Sequence, residues 1–300
     1  LMRMRDSLTT YVKPYTTTMV SKFCYWMDSH GVMQDMQWVD NRKTFPFAEQ
    51  IDFHAFIVDD PKCDVKFEDF ARFKRFRSVR ITNYDSNSQL EEFSAYFTYI
   101  YDNYDMLSDF VVFVHPDAQE HQGSNFFGLN SAMGLISNHS KMAQEVLGYY
   151  PLSMQYVVDP GRIKIKHGWE VLWRRVFGTS YYEDLASQEN CVAFDGNGTY
   201  RAGNRSLAPC ERGISFHVAA QALISAERIR KHSRDFYKNL VEIAKEVTRP
   251  EVYDQHSGLF EAMFHVIFGE RIVAPIREKN MDLPIGLRWN VPSRHSEDVL

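Results

Sequence analysis

Cysteine is scarce, long apolar runs are missing, and no strong excess of one charge runs through the chain. Four cysteines among 300 residues are too few for a disulfide scaffold, and Cys191 and Cys210 lack the C-x2-C spacing of a zinc site. No apolar run approaches the ~18 residues of a membrane span, and the first residues lack a signal-peptide pattern. A net charge of −5 offers no global field for nucleic acid. The basic segment 72–80 is interleaved with Phe73 and Phe76; it reads as a solvated helix face, with RNA binding as the weaker alternative. G-x-S-x-G, Walker A and H-E-x-x-H sequences are also missing, so hydrolases and nucleotide triphosphatases of those kinds are not supported. The chain begins at Leu1, as a processed or excised piece would.

Apolar and aromatic residues are abundant. Hydrophobic residues make up 44% of the chain, with 22 Phe, 16 Tyr and 5 Trp, enough for a substantial core. Dense packing is the first use of so many rings, and a sugar- or base-stacking surface the second. One domain over residues 1–271 is expected, irregular in its N-terminal part, with a tail over 272–300.

The organising stretch is Ser88 to His121. Phe93, Tyr96, Phe97, Ile100 and Tyr104 recur at three- and four-residue spacing, which predicts a helix with one buried face. Ser88 stands three residues before Glu91, the pattern of a capping box. Phe110 to Val114 is a continuous apolar run of the length of a strand buried on both faces. Polar residues then arrive together: His115, Asp117, Glu120 and His121. A buried strand whose carboxyl end opens into acids and imidazoles is where open α/β sheets place ligands.

Further strands are predicted over Phe53–Val58, Ser78–Thr82 and Met154–Val158. Helices are predicted over Thr18–Met27, up to Gly148, over Trp169–Phe177, Ala226–Lys231, Arg234–Val247 with Pro250 as its stop, and Leu259–Phe268. The alternation implies an α/β fold with a mostly parallel sheet covered by helices. Glu170 to Gly178 echoes Glu261 to Gly269, as two helices ending alike against a core would. Tyr181 to Arg212 reads as a long loop. Cys191 and Cys210 bracket its Gly/Asn-rich part, which a disulfide would staple, and the sequons at Asn197 and Asn204 lie inside it, with a third at Asn138. Their coincidence points to the secretory-pathway lumen or the exterior, and to a glycoprotein.

Two readings compete at each polar cluster. His115, Asp117 and His121 form H-x-D-x3-H, a plausible set for a divalent metal, Mn before Mg; the plain alternative is a strand cap, a turn residue and surface histidines. Glu261 and His265 share a helix face, either solvated or turned inward as a general base and a further metal ligand. Arg228 and Arg230 suit phosphate, with surface ion pairing as the bland alternative.

Three blocks resemble the family known as domain of unknown function 3431, found in fungi and algae. Glu92-x3-Tyr96-Phe97-x2-Ile100-x3-Tyr104-Asp105-x-Leu107 leads into Val112-Phe113 and His121. Ala220-Gln221, Ile224-Ser225, Glu227 to Arg230 and Phe236-Tyr237 form the second block. Glu261-x2-Phe264-His265-x-Ile267-Phe268-Gly269 forms the third. The resemblance, over about residues 88–269, implies by analogy a GT-A-like (Rossmann-like) glycosyltransferase core, in which a buried strand ends in an acidic metal motif holding a nucleotide-sugar. On that reading Glu261 is the base, Arg228, Arg230 and Gln221 hold the cofactor, and His115, Asp117, His121 and His265 hold the metal. A nucleotide-sugar and a glycan acceptor are the implied partners, with no nucleic acid. Where relatives read Asn-x-Gly-Arg-Glu, this chain has Ser88-Gln-Leu-Glu-Glu92, losing a close backbone approach and a fixed cation. A non-catalytic glycan-binding or structural module is therefore the alternative function, and a metal-dependent hydrolase the second.

Overall fold

The computed structural model describes residues 14–23, 36–59, 65–85, 91–118, 126–138, 141–153, 156–159, 168–187, 214–246 and 250–272, together with Cys63, Gln122, residues 193–194 and 200–201, and Ala274. Six strands form the main sheet: β1 (Thr17–Phe23), β2 (Ile51–Asp59), β3 (Ser78–Asp85), β4 (Phe110–Phe113), β5 (Tyr149–Pro151) and β10 (Ala222–Ser225). Their order is β3-β2-β1-β4-β10-β5. β1 pairs in parallel with β2 and β4, and β2 in parallel with β3. β10 runs antiparallel to both of its neighbours. Two small antiparallel pairs complete the strands: β6 (Tyr156–Asp159) with β9 (Ile214–His217), and β7 (Ala193–Phe194) with β8 (Tyr200–Arg201). This is a single α/β domain with a mostly parallel sheet.

Side-chain alternation divides the core between the two faces of the sheet. Val20, Phe56, Val111, Phe113, Ala222 and Ile224 face one layer, made by helices α1 (Glu91–Asn103), α4 (Trp169–Phe177), α7 (Arg234–Glu246) and α8 (Pro250–Ile267). Met19, Phe23, Phe53, Val112, Val114 and Leu223 face the other, covered by α2 (Phe127–Ser137) and α3 (Lys141–Val146). Short helices α5 (Tyr181–Ser187) and α6 (Ala226–Ile229) link the remainder. The predicted stripe on α1 holds: Phe93, Tyr96, Phe97 and Ile100 are fully buried. Its predicted cap, Ser88, lies outside the described residues. α4 and α8 are both followed by a glycine at positive φ, Gly178 at 76° and Gly269 at 78°, which explains their echo in sequence.

Three expectations are corrected. Residues predicted as a helix over Thr18–Met27 include all but the first residue of β1, whose seven residues are all buried. A strand flanked by strands and covered on both faces shows no period of two, so its sequence does not separate it from a helix. The last helix starts at Pro250 rather than Leu259, since proline suits the first turn, where its missing N–H costs nothing. The predicted loop from Tyr181 opens with α5, and Trp173 Nε1 and Thr179 Oγ1 both donate to Asp184 in it, at 2.8 Å and 2.5 Å. Cys191, Cys210, Asn197 and Asn204 lie outside the described residues. Cys63 is disulfide-bonded.

Candidate functional site

All carboxyl ends of the parallel strands lie on one edge, and β4 leads there into His115. The ladder persists one residue past β4, with Val114 N–H donating to Val20 O at 3.1 Å. Pro116 has no N–H and stops it. Ala118 N–H then donates to His115 O at 3.2 Å, closing a tight turn that sets Asp117 beside His115. α1 begins at the same edge and carries Glu92 in its first turn, where the helix dipole favours a carboxylate.

Glu92 Oε1 lies 2.9 Å from His115 Nε2, and Asp117 Oδ1 lies 3.6 Å from His115 Nδ1. Glu261, from α8, is a third carboxylate acting on the same ring. Burial pushes the imidazole towards its neutral form, but the charge and hydrogen bond of Glu92, then Asp117 and Glu261, outweigh it and raise its pKa to about 9. The carboxylates around His115 therefore favour its protonated form. Its side chain is 18% exposed, and that of Glu92 only 8%.

Glu261 also accepts the backbone N–H of Ala219. That contact holds the link from β9 to β10, in which Ala219 and Ala220 take φ of 70° and 42°. Left-handed backbone costs an L-residue about 1–2 kcal/mol, so the carboxylate offsets local strain. One turn along α1 from Glu92, the Tyr96 hydroxyl is buried with no hydrogen-bond partner among the described residues. Burial, then the charges of Glu92 and Asp117, hold its phenol well above the usual range. On the neighbouring strand Lys22, 4% exposed, donates to Ser94 Oγ at 3.1 Å and stands 5.5 Å over the Tyr84 ring.

The sequence-derived site residues divide between two edges and the core. His115, Asp117 and Glu261 come together. Gln221 is at the same edge, one residue before the pair Ala222–Phe113, with its amide oxygen accepting from Gln122 Nε2 at 2.6 Å. Arg228 and Arg230 are at the opposite edge, since Ala226 N–H donates to Asp109 O at 2.8 Å just before β4. Arg228 pairs with Glu270 at 3.0 Å and donates to Gly269 O; Arg230 is exposed. His265 is a core residue, 2% exposed, with Nε2 3.2 Å from Ile272 O and its pKa pushed down to about 4, chiefly by burial. His121 lies outside the described residues.

Of the predicted metal set, His115 Nε2 is hydrogen-bonded to Glu92 and His265 Nε2 to a backbone carbonyl. Among the described residues no group of three or more His, Cys, Asp or Glu side chains is placed to hold a metal ion. The cluster brings one imidazole and three carboxylates to the carboxyl edge of the sheet.

Sequence reasoning assigned no role to Glu92, Tyr96 or Lys22. Glu92 and Tyr96 carried a signal, both standing in the first family block four residues apart. Lys22 carried a weaker one, a lone cation in Thr-Thr-Met-Val-Ser-Lys-Phe. No curated protein matches the chain. A family profile described as Protein of unknown function (DUF3431) matches residues 29–281, which takes in β2 to β10 and all of the cluster, and the chain therefore belongs to that family.

Proposed function

We propose that the chain is a glycosyltransferase-like enzyme that binds a nucleotide-sugar and a hydroxylated acceptor at the carboxyl edge of its sheet. The observation that carries the reading is the convergence of Glu92, Asp117 and Glu261, from three separate elements, on His115. Carboxylates and an imidazolium held at fixed positions are the groups needed to move a proton off an acceptor hydroxyl and onto a leaving oxygen. Glu261 is the base in this reading, since it is only partly buried and is held in place by Ala219. The placement of His115-Pro116-Asp117 after a buried strand, where glycosyltransferases of the GT-A kind carry their acidic motif, supports it as analogy.

A non-catalytic glycan-binding module on the same fold is the second reading. It is favoured by the protein contacts already made by Glu92 with His115 and by Glu261 with Ala219, and by the turn sequence Ser88 to Glu92. A thermal melt separates the two. A ligand that binds only the native state stabilises it by about 2.7 kcal/mol at ~100 Kd. UDP- and GDP-sugars are expected to raise Tm, with the rise lost in Asp117→Ala; Glu261→Gln is expected to keep the rise and lose turnover. A rise with free oligosaccharides alone would overturn the transferase reading, and no rise with either would overturn both.

A further inference from the structure

We propose that β3 is a docking edge whose partner is a second copy of the chain, the two β3 strands pairing in antiparallel about a two-fold axis. The inference stands apart from the sugar-transfer reading and uses none of its residues. Its basis is the contrast between the two outer strands of the main sheet, β3 and β5. β5 is three residues long and ends in Pro151, and shortness and proline are two of the devices that keep an edge strand from pairing further. β3 has neither: it is eight residues long and runs Ser-Val-Arg-Ile-Thr-Asn-Tyr-Asp. It pairs along its whole length with β2, and among the described residues no strand pairs with its other side. Ser78, Val79, Arg80 and Asn83 are exposed. An open edge of this length presents a row of backbone donors and acceptors that another strand can take up.

Charge along the edge selects the occupant. Arg77 N–H donates to Ile51 O at 2.9 Å and extends the ladder by one residue; its side chain pairs with Asp52 and stays 43% exposed. Arg77 and Arg80 thus make the amino-terminal half of the edge basic. Asp85 ends the strand in register with Asp59 on β2, so two acids stand side by side at the other end, an unfavourable pairing without a cation. A strand with a basic start and an acidic end complements its own copy when the copy runs the opposite way.

With the axis at Ile81, Arg77 takes the position opposite the partner's Asp85, Arg80 opposite the partner's Thr82, and Val79 opposite the partner's Asn83. No two like charges meet in that register, whereas an axis at Arg80 would oppose two arginines. Ile81 packs against the core layer that holds Phe53 and Phe76, and alternation puts Val79 on the same face, so the paired strands cover each other's apolar side chains. A two-fold contact closes at two copies instead of running on as a filament. The carboxyl edges of the two sheets then point away from each other. One strand seam is small beside the ~1,600 Å² of a standard interface, so the dimer is expected to be weak and concentration-dependent.

Sedimentation equilibrium of the intact protein is expected to show a monomer at about 1 µM and a growing dimer fraction towards about 200 µM. Hydrogen exchange is expected to slow with concentration at the amides of residues 78–84 and to stay unchanged in β5. Val79→Lys with Asn83→Lys opposes like charges at both ends of the seam and is expected to weaken the dimer by ~10-fold or more, while Val79→Lys with Asn83→Glu opposes unlike charges at the same positions and is expected to restore it. Both positions are exposed, so the urea midpoint of each monomeric variant is expected to match the wild type. A wild type that stays monomeric at every concentration overturns the proposal, and slow exchange at 78–84 in that monomer would assign the edge to a segment of the same chain. A dimer that both double variants leave unchanged overturns the pairing through β3.

Discussion

Burial would strip the proton from His115, and three carboxylates keep it there. Its folded pKa of about 9 exceeds the ordinary 6.5, so the stability it contributes is complete below the unfolded value and is lost as pH rises through the folded one. At 1.36 kcal/mol per unit this amounts to about 3 kcal/mol. Glu92→Gln is expected to lower the urea midpoint at neutral pH and to flatten the decline in stability between about pH 7 and 9. The core histidines act with the opposite sign. His54, which shares a hydrogen bond with Thr82 Oγ1 at 2.8 Å, and His265 are both pushed down to about 4, chiefly by burial. Each takes up a proton more readily unfolded than folded, so stability is full above about 6.5 and falls as pH drops towards about 4. His54→Gln is expected to flatten that acid limb in urea titrations while leaving the alkaline limb, set by His115, in place.

Among the elements, α8 packs its rings into the layer beneath the site alongside α1. Phe260 and Phe264 pack on Phe93 at ring distances of 5.9 Å and 5.5 Å, and Phe264 also meets Tyr96, Phe113, Tyr149 and Phe268. The rings thus join α1, β4 and β5 through one helix, which also delivers Glu261. Phe264→Ala is expected to cost about 3–5 kcal/mol in urea unfolding, because a ring surrounded by rings leaves a cavity that cannot close. Phe67→Ala, at a ring 69% exposed, is the control and is expected to change stability by less than about 0.5 kcal/mol. A comparable loss at both positions would refute the account of Phe264 as a ring on which the layer packs.

For the whole molecule, compartment is the open property with a sequence signal. We propose a secretory-pathway or exterior location, in which Cys191 pairs with Cys210 and Asn197 or Asn204 carries glycan. Asn138, the third sequon, is exposed after α2. Peptide mapping of non-reduced protein from a eukaryotic secretory host is expected to yield the 191–210 link and glycan in that segment. A link from Cys63 to Cys191 or Cys210, or bare sequons throughout, would refute the respective half.

Local pattern was enough for the elements that bury one face or stand in a continuous apolar run. The stripe from Phe93 to Ile100, the strand beginning at Phe110, and the helix Trp169–Phe177 with its closing glycine were all readable, because periodicity and caps are properties of neighbours in the chain. The placement of His115 and Asp117 was readable for the same reason, since they stand where a buried strand runs out. β1 was not, since a central strand covered on both faces carries no alternation and owes its conformation to β2 and β4 on either side. Nor was the chemistry of the site. Glu92 lies 23 residues before His115, and Glu261 comes from another helix altogether, so only folding brings their charges to one ring. The sequence determined which residues could be polar at the end of β4; the tertiary structure decided which carboxylates surround the histidine there and so the direction in which its ionisation shifts, because ionisation follows from the charges within a few ångströms and not from neighbours in sequence.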